Sequence, residues 1–357
     1  MRAVVMTDPA RPPELVEVEP RPVGRGEVRL RVEASGVCHS DLTTSRQPTP
    51  GPAIMGHEGA GTVLAVGPGV TRVQVGQRVI LSYVPGCGQC FHCVRGESTQ
   101  CEEIRPLMAT TRAELGGAPV IAKGGLGTWA EEMTVAERQV VPVETTIPSE
   151  QLALIGCGVT TGAGAVLWSA KVPPGASVAV FGCGGVGMFA VQAARIVGAT
   201  TIIVVDPTAA KRDTAEKVGA TDVVDPAAGD PVEQVRALTN GRGVDFAFEV
   251  VGKPETMLQA YSSVRARGTA VIVGMPAPDA VLPLPVGAFF HSERRLMGSF
   301  CGSANPLRDM PTLVRMAELG MLDIGAAVSR RISIDQTTSA LAALERGEVL
   351  RSVIVPN

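Results

Sequence analysis

The chain has 357 residues, 45% hydrophobic and 19% charged, with 41 Gly, 27 Pro and a formal net charge of −3. At roughly 150 residues per domain this length predicts two domains, each able to bury a core without disulfide staples. No basic surplus draws the chain to nucleic acid, and aromatic residues at 3% offer few rings for base stacking. The eight cysteines are compatible with disulfides, metal ligands or buried thiols, and only their spacing separates these.

Met1–Glu19 holds a short apolar stretch broken at Asp8 and Pro9, which is no secretory signal, so a reducing cytoplasm is the expected compartment. Strands of Val-rich, partly alternating character are expected at Arg2–Met6, Leu15–Glu19, Glu27–Ala34, Gly61–Val66 and Arg78–Ser82, separated by Gly/Pro turns. Leu152–Ala170 carries no charge, but four glycines and three hydroxyl residues dilute it. It reads as a buried helix and not a membrane span.

From Ser177 onward strands and helices alternate. Strand Ser177–Phe181 leads to helix Met188–Val197, strand Thr201–Val205, helix Ala209–Val218 and strand Asp222–Asp225. Helix Val232–Leu238, strand Val244–Val251, helix Glu255–Ser263 and strand Thr269–Val273 continue the pattern. Such alternation argues a parallel sheet with right-handed crossovers. Prolines 276, 278, 283 and 285 then interrupt it, before helices near Met310–Leu319 and Thr337–Glu345 and a last strand Ser352–Val355.

Strand Ser177–Phe181 runs into Gly182-Cys-Gly184-Gly185-Val186-Gly187 at the start of a helix. There Gly182 permits a tight turn, Gly184 admits a pyrophosphate to the backbone, and Gly187 packs helix on strand. Asp206 ends the next strand, nineteen residues after Gly187, where its carboxylate accepts from ribose hydroxyls and repels a 2′-phosphate, favouring NAD. Lys211 lies where it either touches the ribose or is solvated, and Cys183 reads as a packing residue.

Cys87-x-x-Cys90-x-x-Cys93-x7-Cys101 places four thiols within fifteen residues, a spacing that fits one tetrahedral structural zinc site better than its rivals, an iron–sulfur cluster or a set of disulfides. His92 among them reads as an exposed loop residue. A second set, Cys38, His57 and Cys157, is dispersed, and its spacing leaves a three-ligand catalytic zinc and ordinary buried cysteines both open.

The runs Gly36-Val-Cys-His-Ser-Asp41 and Gly56-His-Glu-Gly-Ala-Gly61, the four-cysteine lobe and the Gly182–Gly187 turn occur in the order seen in zinc-dependent medium-chain alcohol dehydrogenases. The chain resembles that family over essentially its whole length, nearest the class III-like and actinobacterial branch that includes thiol-dependent formaldehyde dehydrogenases. The resemblance implies an α/β fold, with a GroES-like β-rich catalytic domain and a doubly wound parallel-sheet Rossmann domain. The implied boundaries are 1–158 for the first part of the catalytic domain (zinc lobe 84–104), 159–298 for the NAD-binding domain and 299–357 for the return.

It further implies two zinc ions per chain, one held by Cys38, His57 and Cys157, the other by Cys87, Cys90, Cys93 and Cys101. Glu58 matches the acid beside the catalytic metal, Asp41 the carboxylate that orients His57, and Ser40 the hydroxyl that passes the substrate proton. His39 and Arg351 match cofactor-pyrophosphate positions. Tyr83 and Trp129 match pocket-lining positions, with plain core packing the alternative. Thr43 departs from the pattern, since many members place a histidine there to end the proton relay, and His291 is too remote to replace it.

The implied reaction is hydride transfer between a primary alcohol or aldehyde and NAD. The alternatives are a mycothiol- or glutathione-type formaldehyde dehydrogenase and an enzyme that retains NAD as a prosthetic group. Zinc-free reductases and crystallin-like proteins of the wider family lack this ligand set. A homodimer or homotetramer is expected, and the apolar Val281–Phe290 stretch would serve either an interface or the core.

Overall fold

The computed structural model describes residues 1–108 and 110–356, and the chain divides into two compact units. Unit 1 comprises Met1–Gly158, Asn305–Gly320 and Ile324–Asn357; unit 2 comprises Val159–Ala304 and Met321–Asp323.

Unit 1 is built on two β-sheets. The larger orders its strands Val140–Pro142, Arg78–Leu81, Glu58–Val66, Glu27–Val37, Arg351–Ile354 and Val328–Ile332, with Glu132–Ala136 also paired to Glu27–Val37. Strand Glu27–Val37 begins with alternating burial and ends buried on both faces, so its charged residues stop at Glu33, where the core thickens. Val28, Leu30, Val63, Val79, Leu81 and Val135 form one core under this sheet. Gly61 is forced by close approach: a Cβ there would stand 2.1 Å from the Arg31 carbonyl oxygen. The C-terminal strand pairs antiparallel with Ser35–Val37, bringing the chain end beside Cys38. The second sheet runs Glu14–Glu17, Arg2–Met6, Ala53–Ile54, Ala118–Ala122, Thr111–Leu115 and Glu19–Pro20.

Unit 2 is a six-stranded parallel sheet in the order Asp222–Val224, Thr201–Val205, Ser177–Phe181, Val244–Glu249, Val264–Ile272 and Arg295–Gly298. This is the doubly wound arrangement, with the order reversing beside Ser177–Phe181. The continuous apolar strands are buried on both faces, as a sheet covered by helices requires. The strand expected at Thr269–Val273 starts earlier, at Val264, because Arg265–Gly268 forms an excursion in the register against Val244–Phe246. A helix, Val286–Ser292, and the edge strand Arg295–Gly298 follow the proline-rich stretch. The charge-free segment makes up most of the helix Ser149–Ser169, whose most apolar window has mean hydropathy 1.5 and is 78% buried in protein. Its burial marks it as a core helix.

Candidate active site and metal centres

Among the described residues the sulfur atoms of Cys87, Cys90, Cys93 and Cys101 lie within 4.8 Å of one another, and all eight cysteines of the chain are free thiols. Cys87 Sγ and Cys93 Sγ are 3.9 Å apart, too far for a disulfide and close to the roughly 3.8 Å edge of a tetrahedron with 2.3 Å zinc–sulfur bonds. Backbone N–H groups of Cys87, Gln89 and Cys90 donate to the sulfurs, as a loop wrapped around thiolates requires. These amides do not suffice for all four. Hydrogen bonds from the Cys93 and Glu102 amides pull Cys90 down to about 6, while desolvation pushes Cys93 up to about 12. Four thiolates coexist at this spacing only around a cation, and a zinc ion fits. His92 is turned away, its Nδ1 2.9 Å from Glu97 Oε2.

The dispersed set converges. One donor atom each from Cys38, His57, Glu58 and Cys157 lie within 4.8 Å of one another, all buried. Local structure aims each one. Cys38 follows strand Glu27–Val37 and caps helix His39–Ser45. His57 immediately precedes strand Glu58–Val66 and follows Gly56, whose φ of +92° and contact with Trp129 exclude any side chain. Cys157 sits in Ile155–Val159, a π-wound turn of the long helix, a distortion that often re-aims a functional side chain. Gly156 lets that turn approach the Leu81 carbonyl, which a Cβ would meet at 2.7 Å.

Asp41 ties two donors together. Its Oδ1 is 2.8 Å from His57 Nδ1, which leaves Nε2 to face the cluster, and its Oδ2 accepts from the Cys38 N–H at 2.9 Å. Ser40 Oγ stands 3.1 Å from Cys38 Sγ, and Tyr83 Oη 3.8 Å from Cys157 Sγ, with the Tyr83 ring edge-on to His57. Trp129 lies in the core, fully buried, with Nε1 donating to the Gly36 carbonyl. Thr43 turns its hydroxyl back to the His39 carbonyl.

Arg351 is the residue whose position the sequence concealed. Its Nη2 lies 3.3 Å from Cys38 Sγ and 3.4 Å from Glu58 Oε1, beneath the donors and sealed from solvent. Glu58 Oε1 also accepts from the Gly158 N–H, while Oε2 has no hydrogen-bond partner among the described residues. A Cβ at position 36 would stand 1.9 Å from that oxygen, so the bare glycine leaves the carboxylate its place. Burial pushes the Glu58 carboxyl up to about 7 despite the Arg351 charge. The Cys38 thiol is held well below its usual range, by the Cys157 hydrogen bond first and then, against burial, by Arg351 and His57. Burial opposes protonation of His57, but Asp41 and then Cys38 outweigh it and hold the ring well above its usual range. Two thiols, an imidazole and a half-satisfied carboxylate around one point form a donor set suited to a zinc ion with an open position.

In unit 2, Gly182 has φ +94°, and a Cβ on Gly187 would stand 2.0 Å from the Gly182 carbonyl oxygen. Gly184 faces open space, and helix Gly187–Ile196 starts behind it. Gly185 and Val186 complete the turn. Asp206 ends its strand buried, Oδ2 accepting from the Cys183 N–H and Oδ1 from the Thr208 N–H. Lys211 lies on the following helix, half-buried. Glu249 escaped the sequence reading. Its Oε1 accepts from the Val251 and Gly252 amides and the Thr256 hydroxyl, which orders the turn packed on Gly182. Its only sequence signal is an acid ending a buried strand.

Two family descriptions match the chain: the alcohol dehydrogenase GroES-like domain at residues 24–145 and the zinc-binding dehydrogenase at residues 185–318. The S-(hydroxymethyl)glutathione dehydrogenase of Synechocystis sp. is 35% identical over 366 aligned residues, covering 99% of each chain. That of Escherichia coli O157:H7 is 36% identical with the same coverage. Benzyl alcohol dehydrogenase from Acinetobacter calcoaceticus superposes with a TM-score of 0.93 at 32% identity, covering 100% of this chain and 99% of that one. A zinc-binding dehydrogenase from Sinorhizobium meliloti, solved with NADP bound, superposes at 0.84 with 28% identity and 99% coverage of each chain.

Proposed function

The chain belongs to the zinc-dependent medium-chain alcohol dehydrogenases, and on that premise we propose that it interconverts primary alcohols and aldehydes with NAD at the Cys38–His57–Cys157 centre. The observation that carries this reading is the convergence of those three donors and Glu58, with Asp41 tying two of them.

Cys38, His57 and Cys157 would hold the catalytic zinc and Cys87, Cys90, Cys93 and Cys101 the structural one. When bound, the catalytic zinc supplies Lewis acidity to the substrate oxygen and the nicotinamide takes the hydride. Asp41 fixes the His57 tautomer and the Cys38 backbone together, so the donors keep their aim through turnover. Ser40 stands beside Cys38 and takes the hydroxyl proton, passing it towards water because Thr43 supplies no base near neutral pH. Glu58 offers a further carboxylate oxygen to the centre, and Arg351 balances its charge from below. His39 is assigned to the cofactor's phosphates and Lys211 to its ribose, while Arg351, expected there too from the resemblance, is buried against Cys38 and Glu58 and serves the metal centre instead. Gly182–Gly187 receives the pyrophosphate, and Asp206 selects NAD over NADP. Tyr83 lines the substrate site, while full burial leaves Trp129 to core packing.

Replacing Cys38 by Ala should abolish alcohol-dependent NADH formation while NADH still binds, and a variant that kept the full rate would overturn the assignment. The names of the relatives favour a second reading, in which the substrate is the hydroxymethyl adduct of formaldehyde with a small thiol such as glutathione or mycothiol. NADH formation from formaldehyde with and without thiol separates the two. Retained nicotinamide absorbance in purified protein would mark the prosthetic-NAD variant. Free thiols suit the cytoplasm, to which we assign the enzyme. We also assign it a homodimeric or homotetrameric state, supported by exposed Val281, Val286 and Phe290 near the sheet-edge strand Arg295–Gly298.

A further inference from the structure

The end of the unit 2 sheet opposite the glycine turn carries a second concave site. Strands Val244–Glu249, Val264–Ile272 and Arg295–Gly298 all begin there, because the sheet is parallel. A cavity of about 330 Å³ opens between their first residues and the Pro173–Ala176 loop, with Arg265, Arg267, Arg295 and Asp245 in its wall. That volume falls at the small end of the range for ligand pockets.

The charges in this wall do not cancel. Asp245 is already engaged: Oδ2 accepts from the Ser177 N–H and hydroxyl, and Oδ1 meets Arg265 Nε at 2.6 Å. Arg267 reaches Glu293 only at 3.4 Å, with both side chains more than two-thirds exposed, an ion pair of little strength. Arg295 meets no carboxylate among the described residues. Three guanidinium groups thus share one concave wall with a single engaged carboxylate, in a chain of net charge −3.

The backbone is also held at a cost. The excursion Arg265–Gly268 places Arg267 at φ +63°, a left-handed conformation that a non-glycine side chain rarely adopts. Strain of this kind persists where the surrounding structure over-determines it, and it clusters at ligand-binding sites. Arginine forks are matched to phosphate and carboxylate oxygens, and a cleft of one sign concentrates oppositely charged solutes.

We propose that this cavity binds a small multivalent anion through Arg265, Arg267 and Arg295, at a site separate from the cofactor pyrophosphate. The shared chemistry is two or more phosphate or carboxylate groups on a molecule small enough for the cavity.

Calorimetry on the zinc-loaded enzyme saturated with NADH, so that the nucleotide site is filled, tests this. The phosphate probe is fructose 1,6-bisphosphate and the carboxylate probe is tricarballylate. One probe or both should bind once per chain, and which one binds identifies the anion class. Salt should weaken the binding, and R267Q/R295Q should weaken it at least about tenfold, the effect of losing one charge-assisted contact. Arg267→Gly relaxes the left-handed backbone while removing the guanidinium. It should weaken binding without lowering the melting temperature, which keeps the test decisive if the double variant folds poorly. Failure of both probes to bind at millimolar concentration, or binding that these variants leave unchanged, would overturn the proposal.

Discussion

Asp41 accepts the Cys38 N–H with one oxygen and faces the His57 ring with the other, so one carboxylate sets the aim of two donors. Asp41→Asn can satisfy only one of those donors. It should weaken zinc retention by roughly 10- to 100-fold, read by competition with a chelator, with the four-cysteine lobe still loaded. Glu249 gives a second residue-scale expectation, through pH. Burial pushes its carboxyl above the ordinary value, against hydrogen bonds from Thr256, Gly252 and Val251. Native protein therefore keeps this proton after the unfolded chain releases it near pH 4.3, and the group's cost to stability grows as pH rises towards the native pKa. Glu249→Gln removes that slope. The stability difference between wild type and variant should shift in the variant's favour as pH rises above about 4.3, measured by denaturant unfolding across pH.

At the scale of the element, the strand–turn–helix at Ser177–Ile196 separates packing from binding within one motif. Gly187 has no room, whereas a Cβ at Gly184 would meet no heavy atom within 4 Å. Gly187→Ala should destabilise the protein by about 2 kcal/mol or more, because backbone must move. Gly184→Ala should leave the melting temperature almost unchanged yet weaken NAD binding, because only the ligand approaches that face. Thermal unfolding and NADH fluorescence titration on the two variants distinguish these effects. The motif was legible because its spacing is local: an apolar run, a glycine turn and a helix within twenty residues. Strand Thr111–Leu115 and its partner Ala118–Ala122 were not legible, since Ala113 and Leu115 are the only apolar residues of the first strand and pairing across a two-residue turn supplies the order. Arg112 is buried there by bonds to the Thr134 and Gly125 carbonyls, which propensity cannot foresee.

At the scale of the whole chain, unit 1 is closed by its own far end. Strand Arg351–Ile354 covers Ser35–Val37 and delivers Arg351 to Cys38 across 313 residues. A protein ending at Gly320 should therefore lose the catalytic zinc, and become protease-sensitive in residues 1–158, through loss of that strand and of the helix Thr337–Glu345 packed beside it. Zinc content and limited proteolysis check this. Light scattering of the intact enzyme checks the oligomeric assignment, with substitution of Phe290 by a charged residue expected to favour the monomer.

The sequence alone determined what depends on spacing along a few turns of chain. The four-thiol loop, the Gly182–Gly187 turn with Asp206 beyond it, and the alternation that makes a parallel sheet all fall within reach of local periodicity. Family resemblance joined Cys38, His57 and Cys157, which spacing left open. Tertiary structure decided how they meet: a π-wound turn aims Cys157, Gly36 makes room for Glu58, and the last strand slides Arg351 beneath both. Those contacts depend on sheet register and close backbone approach between distant segments, and a linear pattern carries neither.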